Sequence, residues 1–204
     1  VARTYILYRE QRRQERESRK TRNHAKQGDA LLHAVLDDGR RVPLDLNKLQ
    51  AIIDTACQGI PEVDAARVVN ETVHNLFDGV KMSDVHQALI MTARTLIESE
   101  PHYTYVAARL LRYNLFNEAL GFLTLPTPST AKEEKTIYAS ALGAYIHKGI
   151  QLELLNPALA SDFDLEKLGK ALKPERDHQF TYLGLQTLDD RYFIHSDGTR
   201  FELP

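Results

Sequence analysis

The chain is poor in cysteine, lacks tryptophan and has no long apolar run. One cysteine in 204 residues excludes a disulfide framework and favours a reducing, cytoplasmic setting. No apolar stretch reaches the roughly 18 residues of a membrane-spanning helix, so no membrane is expected as a partner. The first eight residues run into a basic segment and are unlike a signal peptide. The remaining composition, 43% hydrophobic and 26% charged with a net charge of −2, is that of a globular protein with one large domain or two small ones.

The two ends of the chain are untypical of natural termini. Val1 is not a usual first residue, and the extended segment 201–204 stops at Pro204. We therefore expect a fragment of a longer chain.

Residues 9–26 form a polar and basic segment. Arginine and lysine number eight there and glutamate three, with opposite charges three or four residues apart. This spacing predicts a solvated connector helix. The competing hypothesis is a helical interaction module whose connector binds nucleic acid. Nucleic acid is the less expected partner because no interleaved aromatic residues accompany the charge. The residues that it would use are Arg12, Arg13, Arg16 and Arg19.

Residues 32–118 combine a hairpin signal with four amphipathic stretches. Asp37-Asp-Gly39 separates segments 32–36 and 40–44, which predicts a β-hairpin. Apolar residues then recur at helical spacing, with Ser83 expected to cap the third helix and Pro101 to open the fourth. Cys57 falls in the first apolar stripe and is interpreted as a core residue. The inward-facing residues expected are Leu49, Ile52, Ile53, Ala56, Cys57 and Ile60; Val63, Ala66, Val69, Val73, Leu76 and Phe77; Val85, Leu89, Ala93, Leu96 and Ile97; and Tyr105, Val106, Leu110 and Tyr113.

The rest of the chain predicts further helices after a linker at 125–130. Thr130 and Glu133 have capping-box spacing and start a helix that runs to Leu155. Shorter helices fit 165–172 and 181–189, and 192–203 predicts two strands around a turn. The fold class expected is mainly α: a helical bundle capped by a β-hairpin, followed by further helices and a terminal β-hairpin.

Three strings carry a resemblance to a known family. Residues 39–48 (GRRVPLDLNK), 78–89 (DGVKMSDVHQAL) and 103–111 (YTYVAARLL) resemble the ATP-cone, a regulatory module at the front of class I ribonucleotide reductase large subunits. The resemblance covers 30–118. Residues 180–192 and 197–204 resemble the entrance to the catalytic domain of that family, so 119–204 are expected to be its helical N-terminal part. A faint repeat between 1–8 and 106–113 suggests that 1–29 hold the tail of a preceding cone and the connector. The present cone would then be the second.

The resemblance implies a regulatory rather than a catalytic role. The family's enzyme reduces ribonucleotides with three thiols, so a fragment with one cysteine is expected to hold no catalytic residue and no cofactor. In the family the cone is an overall activity switch, on with ATP and off with dATP, which makes these nucleotides possible allosteric effectors. The partners implied are the rest of the large subunit, further copies in a homodimer or higher oligomer, and the small radical-generating subunit.

The resemblance also assigns candidate site positions. Lys48, His86, Asp45 and Arg41 are the implied nucleotide-binding residues. Four positions depart from the family's pattern: Leu36 and Asp37 stand where basic residues are usual, Met82 where a threonine is usual, and Asn117 where a lysine is usual.

These departures predict a degenerate cone that keeps its fold, has lost most of its affinity for ATP and dATP, and acts as a scaffold. The alternative is a functional ATP- and dATP-binding activity site. The eight histidines are scattered, so no metal is predicted.

Overall fold

The computed structural model describes residues 32–36, 38–128 and 131–204. The predicted connector helix, the repeat at 1–8, the nucleic-acid candidates Arg12, Arg13, Arg16 and Arg19, and the residues Asp37 and Thr130 lie outside the described residues.

A three-stranded sheet covers one end of the first helical unit. Strands β1 (His33–Val35) and β2 (Arg41–Pro43) are antiparallel, which confirms the predicted hairpin, and Gly39 turns between them at a φ of 80°. A third strand, β3 (Val80–Lys81), pairs parallel to β1 and gives the order β2-β1-β3. β3 was not predicted, since two residues carry no alternation signal.

Four helices form the unit beneath this sheet, as predicted. They are α1 (Leu46–Cys57), α2 (Ala65–Asn75), α3 (Met82–Leu96) and α4 (Tyr103–Phe122). Asp45 and Asp64 cap α1 and α2 by accepting from main-chain amides of the first turn. The largest fully buried aliphatic side chains at the centre of the unit are Ile53, Val68, Val85, Leu89, Ile90 and Val106.

Five details of these helices were predicted wrongly. Ser83 is not an N-cap, because α3 begins at Met82 and Lys81 occupies the cap position without a side-chain bond. Phe77 is 63% exposed rather than inward-facing, since α2 ends before it. Tyr113 and Ala66 are exposed as well, because they lie on the outer faces of their helices. The fourth helix starts at Tyr103, two residues beyond the predicted opening.

The second half of the chain adds further helices after α4. These are α5 (Ala131–Gln151), which ends before the predicted Leu155, then α6 (Ala158–Ser161), α7 (Leu165–Ala171), a 3₁₀ helix (Pro174–Gln179) and α8 (Tyr182–Arg191). Strands β4 (His195–Ser196) and β5 (Thr199–Arg200) form the predicted terminal hairpin. The expectation of a mainly α fold is confirmed, although α6 and the 3₁₀ helix were not foreseen.

The two halves share one core. Tyr182 and Leu185 of α8 are buried in the same apolar cluster as α3 and α4, and α4 continues through residue 118 without a break. The domain limits 1–29, 30–118 and 119–204 stay predictions. None of the helices within the described residues is both long and apolar enough to cross a bilayer.

Candidate functional site

The hairpin end of the unit carries two of the positions that depart from the cone pattern. Val35 pairs with Lys81 across the parallel strands, and the next residues in the chain are Leu36 and Met82. Met82 is half-buried and packs against the core. Neither side chain can attract an anion.

Asp78 binds the one arginine proposed for this end. Its carboxylate accepts from Arg41 Nη2 at 2.7 Å and from the main-chain N–H of His33 at 2.8 Å, and His33 Nδ1 lies 3.1 Å away. The hydrogen bond from His33 N, followed by the side-chain bonds of His33 and Arg41, lowers the pKa of Asp78. Arg41 therefore already has an acidic partner inside the protein.

Asp45 acts as a helix cap. Its Oδ1 accepts from Lys48 N at 3.0 Å, which fixes the first turn of α1 and leaves the Lys48 side chain exposed. A carboxylate engaged in this way stabilises the helix start whether or not a ligand is present.

Another candidate residue, His86, lies within electrostatic range of Lys48. Burial lowers the pKa of His86, and the positive charge of Lys48 lowers it further. The His86 ring meets Tyr113 edge to face, with centroids 6.1 Å apart. Tyr113 was expected in the core and instead joins this group.

A cleft runs between α1, α4 and the elements that follow the first unit. It consists of two adjoining cavities of about 340 and 420 Å³. Lys48 lines the first cavity and Asn117 the second, so the structure brings these two predicted positions to one cleft. We call it the joint cleft and define it by the six residues that line both cavities: Thr55, Arg109, Arg112, Tyr113, Glu134 and His178.

Arg109 is a half-buried cation that the sequence analysis did not single out. Its Nη1 donates to the carbonyl oxygens of Ala56, at 3.0 Å, and Gln58, at 2.7 Å, at the end of α1. Burial lowers the pKa of Arg109, and within the described ranges its Nε has no partner. Arg109 lies in the segment 106–111 (VAARLL), which was used only to recognise the family, although its position there could have marked it as a candidate site residue.

Arg112 joins three elements through a buried ion-pair network. It is 9% exposed and bonds Glu134 of α5 and, at 3.2 Å, Asp177 of the 3₁₀ helix. Tyr138 donates to the same Asp177 oxygen at 3.0 Å, and burial is the main cause that raises its pKa above the ordinary range. No spacing rule links residues so far apart in the chain, which is why the network was missed.

Three potential metal ligands also meet at the surface. The ligand atoms of Glu62, Glu100 and His102 lie within 4.8 Å of one another, in the loops before α2 and α4. Glu100 Oε1 already accepts from His102 N at 2.9 Å and lies 2.7 Å from its Nδ1. The absence of a metal therefore stays a prediction.

Comparison with known proteins finds relatives both for the first unit alone and for the whole chain. Residues 33–117 match the ATP cone domain family. The whole chain is 37% identical over 208 aligned residues to a ribonucleoside-diphosphate reductase subunit alpha of Chlamydia muridarum, of which it covers 19%. It is 30% identical over 176 residues to the subunit alpha of Helicobacter pylori, covering 85% of this chain and 21% of the relative. The chain thus spans about a fifth of the length of the curated relatives it matches.

Proposed function

Because the chain belongs to the family of ribonucleoside-diphosphate reductase alpha subunits and carries an ATP cone domain, we propose that it is a regulatory module of deoxyribonucleotide synthesis. In this proposal the cone has lost most of its affinity for ATP and dATP. It serves instead as a scaffold that orients neighbouring parts of the subunit.

The proposal depends on the shortage of cations at the hairpin end. Leu36 and Met82, which directly follow the paired ends of β1 and β3, carry no charge, and Arg41 is paired with Asp78. Each missing charge-assisted hydrogen bond to a phosphate is worth about 1.5–3 kcal/mol. Two such losses lower affinity by about 10² to 10⁴-fold.

The scaffold role is supported by the way the cone is attached. Arg112 of α4 is bound to Glu134 and Asp177 of the following elements, and Tyr182 of α8 is buried against the cone's helices. A domain that is held by a buried ion pair and a shared apolar core keeps a fixed orientation relative to the helices that follow it.

Calorimetric titration of the 204-residue chain with ATP and with dATP tests the proposal. We expect no heat of binding at micromolar nucleotide concentrations. The matched variant Leu36→Lys, Met82→Thr, Asn117→Lys restores the residue types usual in the family and should gain affinity by at least about tenfold. Micromolar binding of either nucleotide by the unmodified chain would contradict the loss of affinity.

A functional activity site is the second candidate. The observation that favours it is that Lys48 and Tyr113 line the same cavity, while the His86 ring meets Tyr113 and is affected by the charge of Lys48. In that case ATP would bind the unmodified chain, and Lys48→Gln would weaken the binding.

The reduction itself is assigned to other parts of the parent subunit. Cys57 is half-buried, and burial together with the charge of Asp54 raises its pKa to about 11, which is the opposite of an activated thiol. The partners proposed are the remainder of the large subunit, further copies of it, and the small radical-generating subunit, in the cytoplasm. A nucleic-acid-binding connector would be detected as salt-dependent binding of an oligonucleotide.

A further inference from the structure

A second cavity lies between α5 and α7, beyond the residues that match the cone. We call it the α5–α7 cavity; five residues of segment 135–143 and five of segment 165–172 line it. Its volume is about 680 Å³, which is in the range of small-molecule sites. None of the residues that line it belongs to the cone match at 33–117. A ligand in this cavity would contact both helices at once.

Two glycines that line the cavity leave its space open. At Gly169 the two helices touch, because a Cβ atom built there would lie 2.2 Å from the carbonyl oxygen of Ala139. At Gly143 the opposite holds, since a Cβ atom built there would meet nothing within 4 Å. The helices are therefore in contact at one point and leave unfilled space beside Gly143.

The apolar part of the lining is aliphatic. Ala139, Leu165 and Leu172 contribute it, and no aromatic ring is among the residues that line the cavity. Leu172 is 36% exposed, so apolar surface at this cavity faces water. A flat ring would find no aromatic partner to stack on, whereas an alkyl chain gains free energy from each methylene group that it buries.

One cation of the lining has no acidic partner. The lining contains two lysines and one glutamate, and the Lys170 ammonium group is paired with Glu166. Across the described ranges, Lys135 has no carboxylate within ion-pair distance. The Ser140 hydroxyl donates to the carbonyl oxygen of Ile137 at 2.9 Å, so its proton is already engaged. The cavity thus combines aliphatic surface with a single unneutralised positive charge.

The spacing along α5 places this charge at one end of the open space. Lys135, Ala139 and Gly143 all line the cavity and are four residues apart, so they follow one another along one face of the helix. The distance along the axis from the first to the third is about 12 Å. A ligand with a charged head and an extended apolar tail fits this arrangement.

We propose that the α5–α7 cavity binds a medium-chain aliphatic carboxylate, with its carboxylate at Lys135 and its alkyl chain beside Ala139, Gly143 and Leu165. The single negative charge matches the single unpaired lysine, whereas a dianion would keep one charge without a partner beside apolar surface. Bound to both helices, the ligand would stabilise the packing of α7 on α5. This inference goes beyond the proposed function and does not depend on it, because no residue of the cone match takes part.

Octanoate is the probe, with butyrate and octylammonium as its controls. In amide-detected NMR titrations of the 204-residue chain, we expect octanoate to shift residues of α5 and α7. Butyrate keeps the charge and shortens the chain; it should bind at least about tenfold more weakly, since each buried methylene is worth about fourfold in affinity. Octylammonium keeps the chain and reverses the charge, and it should also bind at least about tenfold more weakly.

A charge-reversal variant tests the place of the carboxylate. Lys135→Glu should weaken octanoate binding by at least about tenfold, because attraction at an exposed side chain becomes repulsion. The matched control is Lys167→Glu, which reverses an exposed charge on α7 that does not line the cavity and should leave the affinity unchanged.

A filling variant tests the place of the alkyl chain. Gly143→Leu should occupy the open space and weaken octanoate binding by at least about tenfold, while the helix keeps its fold because nothing lies near the added Cβ atom. Gly121→Leu is the matched control, since that glycine also has nothing within 4 Å of an added Cβ atom and lies on α4, outside the cavity.

The inference is overturned if octanoate does not bind at about 10 mM, or if butyrate or octylammonium binds equally well. It is also overturned if either Lys135→Glu or Gly143→Leu binds octanoate as tightly as the unmodified chain does. These outcomes are separate from the nucleotide titration, because the variants alter no position of the cone and the nucleotide variants alter no residue of this cavity.

Discussion

Two side chains, Tyr103 and Asp78, hold loops in place through hydrogen bonds that helix packing alone does not provide. Tyr103 is 2% exposed, and its hydroxyl accepts from Asp64 N at 2.9 Å across 39 residues of chain. Asp78 joins the β1 and β2 strands to the loop before β3. Each of these side chains therefore fixes the position of a loop through hydrogen bonds to distant residues.

Removing the Tyr103 hydroxyl should lower stability measurably. Tyr103→Phe leaves the partly buried amide of Asp64 without its acceptor, so we expect the free energy of unfolding to fall by about 1–2 kcal/mol. Urea denaturation measures the change. Tyr192→Phe, at a ring that is 69% exposed, is the control and should have no effect.

Asp78 should make stability depend on pH in the acidic range. Folding lowers its pKa below the ordinary 3.8, so its contribution is present above the unfolded pKa and is lost as the pH falls through the folded value. Asp78→Asn should therefore be less stable than the unmodified chain at neutral pH, and the difference should disappear as the pH falls through the folded pKa of Asp78. Thermal unfolding across pH 2 to 7 measures this, and parallel curves would contradict it.

At the scale of elements, helices α5 and α7 approach more closely than any side chain would permit. A Cβ atom built at Gly169 would lie 2.2 Å from the carbonyl oxygen of Ala139. The added Cβ atom on α7 would overlap main-chain atoms of α5, so rotating a side chain cannot relieve the overlap.

Gly169→Ala should separate these two helices. The overlap predicts a loss of about 1–3 kcal/mol in the free energy of unfolding, detectable by urea denaturation. Gly143→Ala on α5 is the matched control, because nothing lies within 4 Å of the added methyl and the helix gains propensity of about 0.5–1 kcal/mol. Equal effects of both substitutions would show that the close approach is unimportant.

The long elements could be predicted from the sequence and the short ones could not. The helical spacing of apolar residues predicted the four helices of the first unit, and Asp38-Gly39 in the turn predicted the hairpin; the structure contains both. Strand β3 and helix α6 have too few residues to show a period, so their formation depends on neighbours that a local pattern does not contain.

The candidate site could be predicted only as far as the family's strings reach. Lys48 and His86 were chosen by resemblance, and their role in binding a nucleotide stays a prediction; the charge of Lys48 does act on the His86 ring. Arg109 and His178 were missed because their meeting depends on tertiary packing between residues far apart in the chain. Asp45 and Arg41 bind within the protein, which the sequence alone gave no means to foresee.

At the scale of the whole molecule, one guanidinium connects the two halves of the chain. Arg112 lies over the Phe116 ring, 5.4 Å from its centroid, and bonds carboxylates from α5 and the 3₁₀ helix. Burying these charges is costly, and only their mutual pairing offsets the cost.

Arg112→Met should therefore be strongly destabilising. It leaves Glu134 and Asp177 close together without a cation, and we expect a loss of about 3–5 kcal/mol, measured by urea denaturation. Arg67→Met is the control, since that arginine forms an exposed pair with Glu71 on one helix and its loss should change stability very little. A small effect at Arg112 would show that the joint is held by apolar packing alone.

The parallel pairing of β3 with β1 has a consequence for the order of assembly. The two strands are separated by α1 and α2, so the β1–β2 hairpin can form early by local closure, whereas the third strand must wait until both intervening helices have collapsed. The hydrogen bond from Gly79 N to His33 O, at 2.8 Å, closes this long loop. Its amide proton should therefore exchange with solvent only through openings that release the whole cone, which makes it an internal reporter of cooperative unfolding.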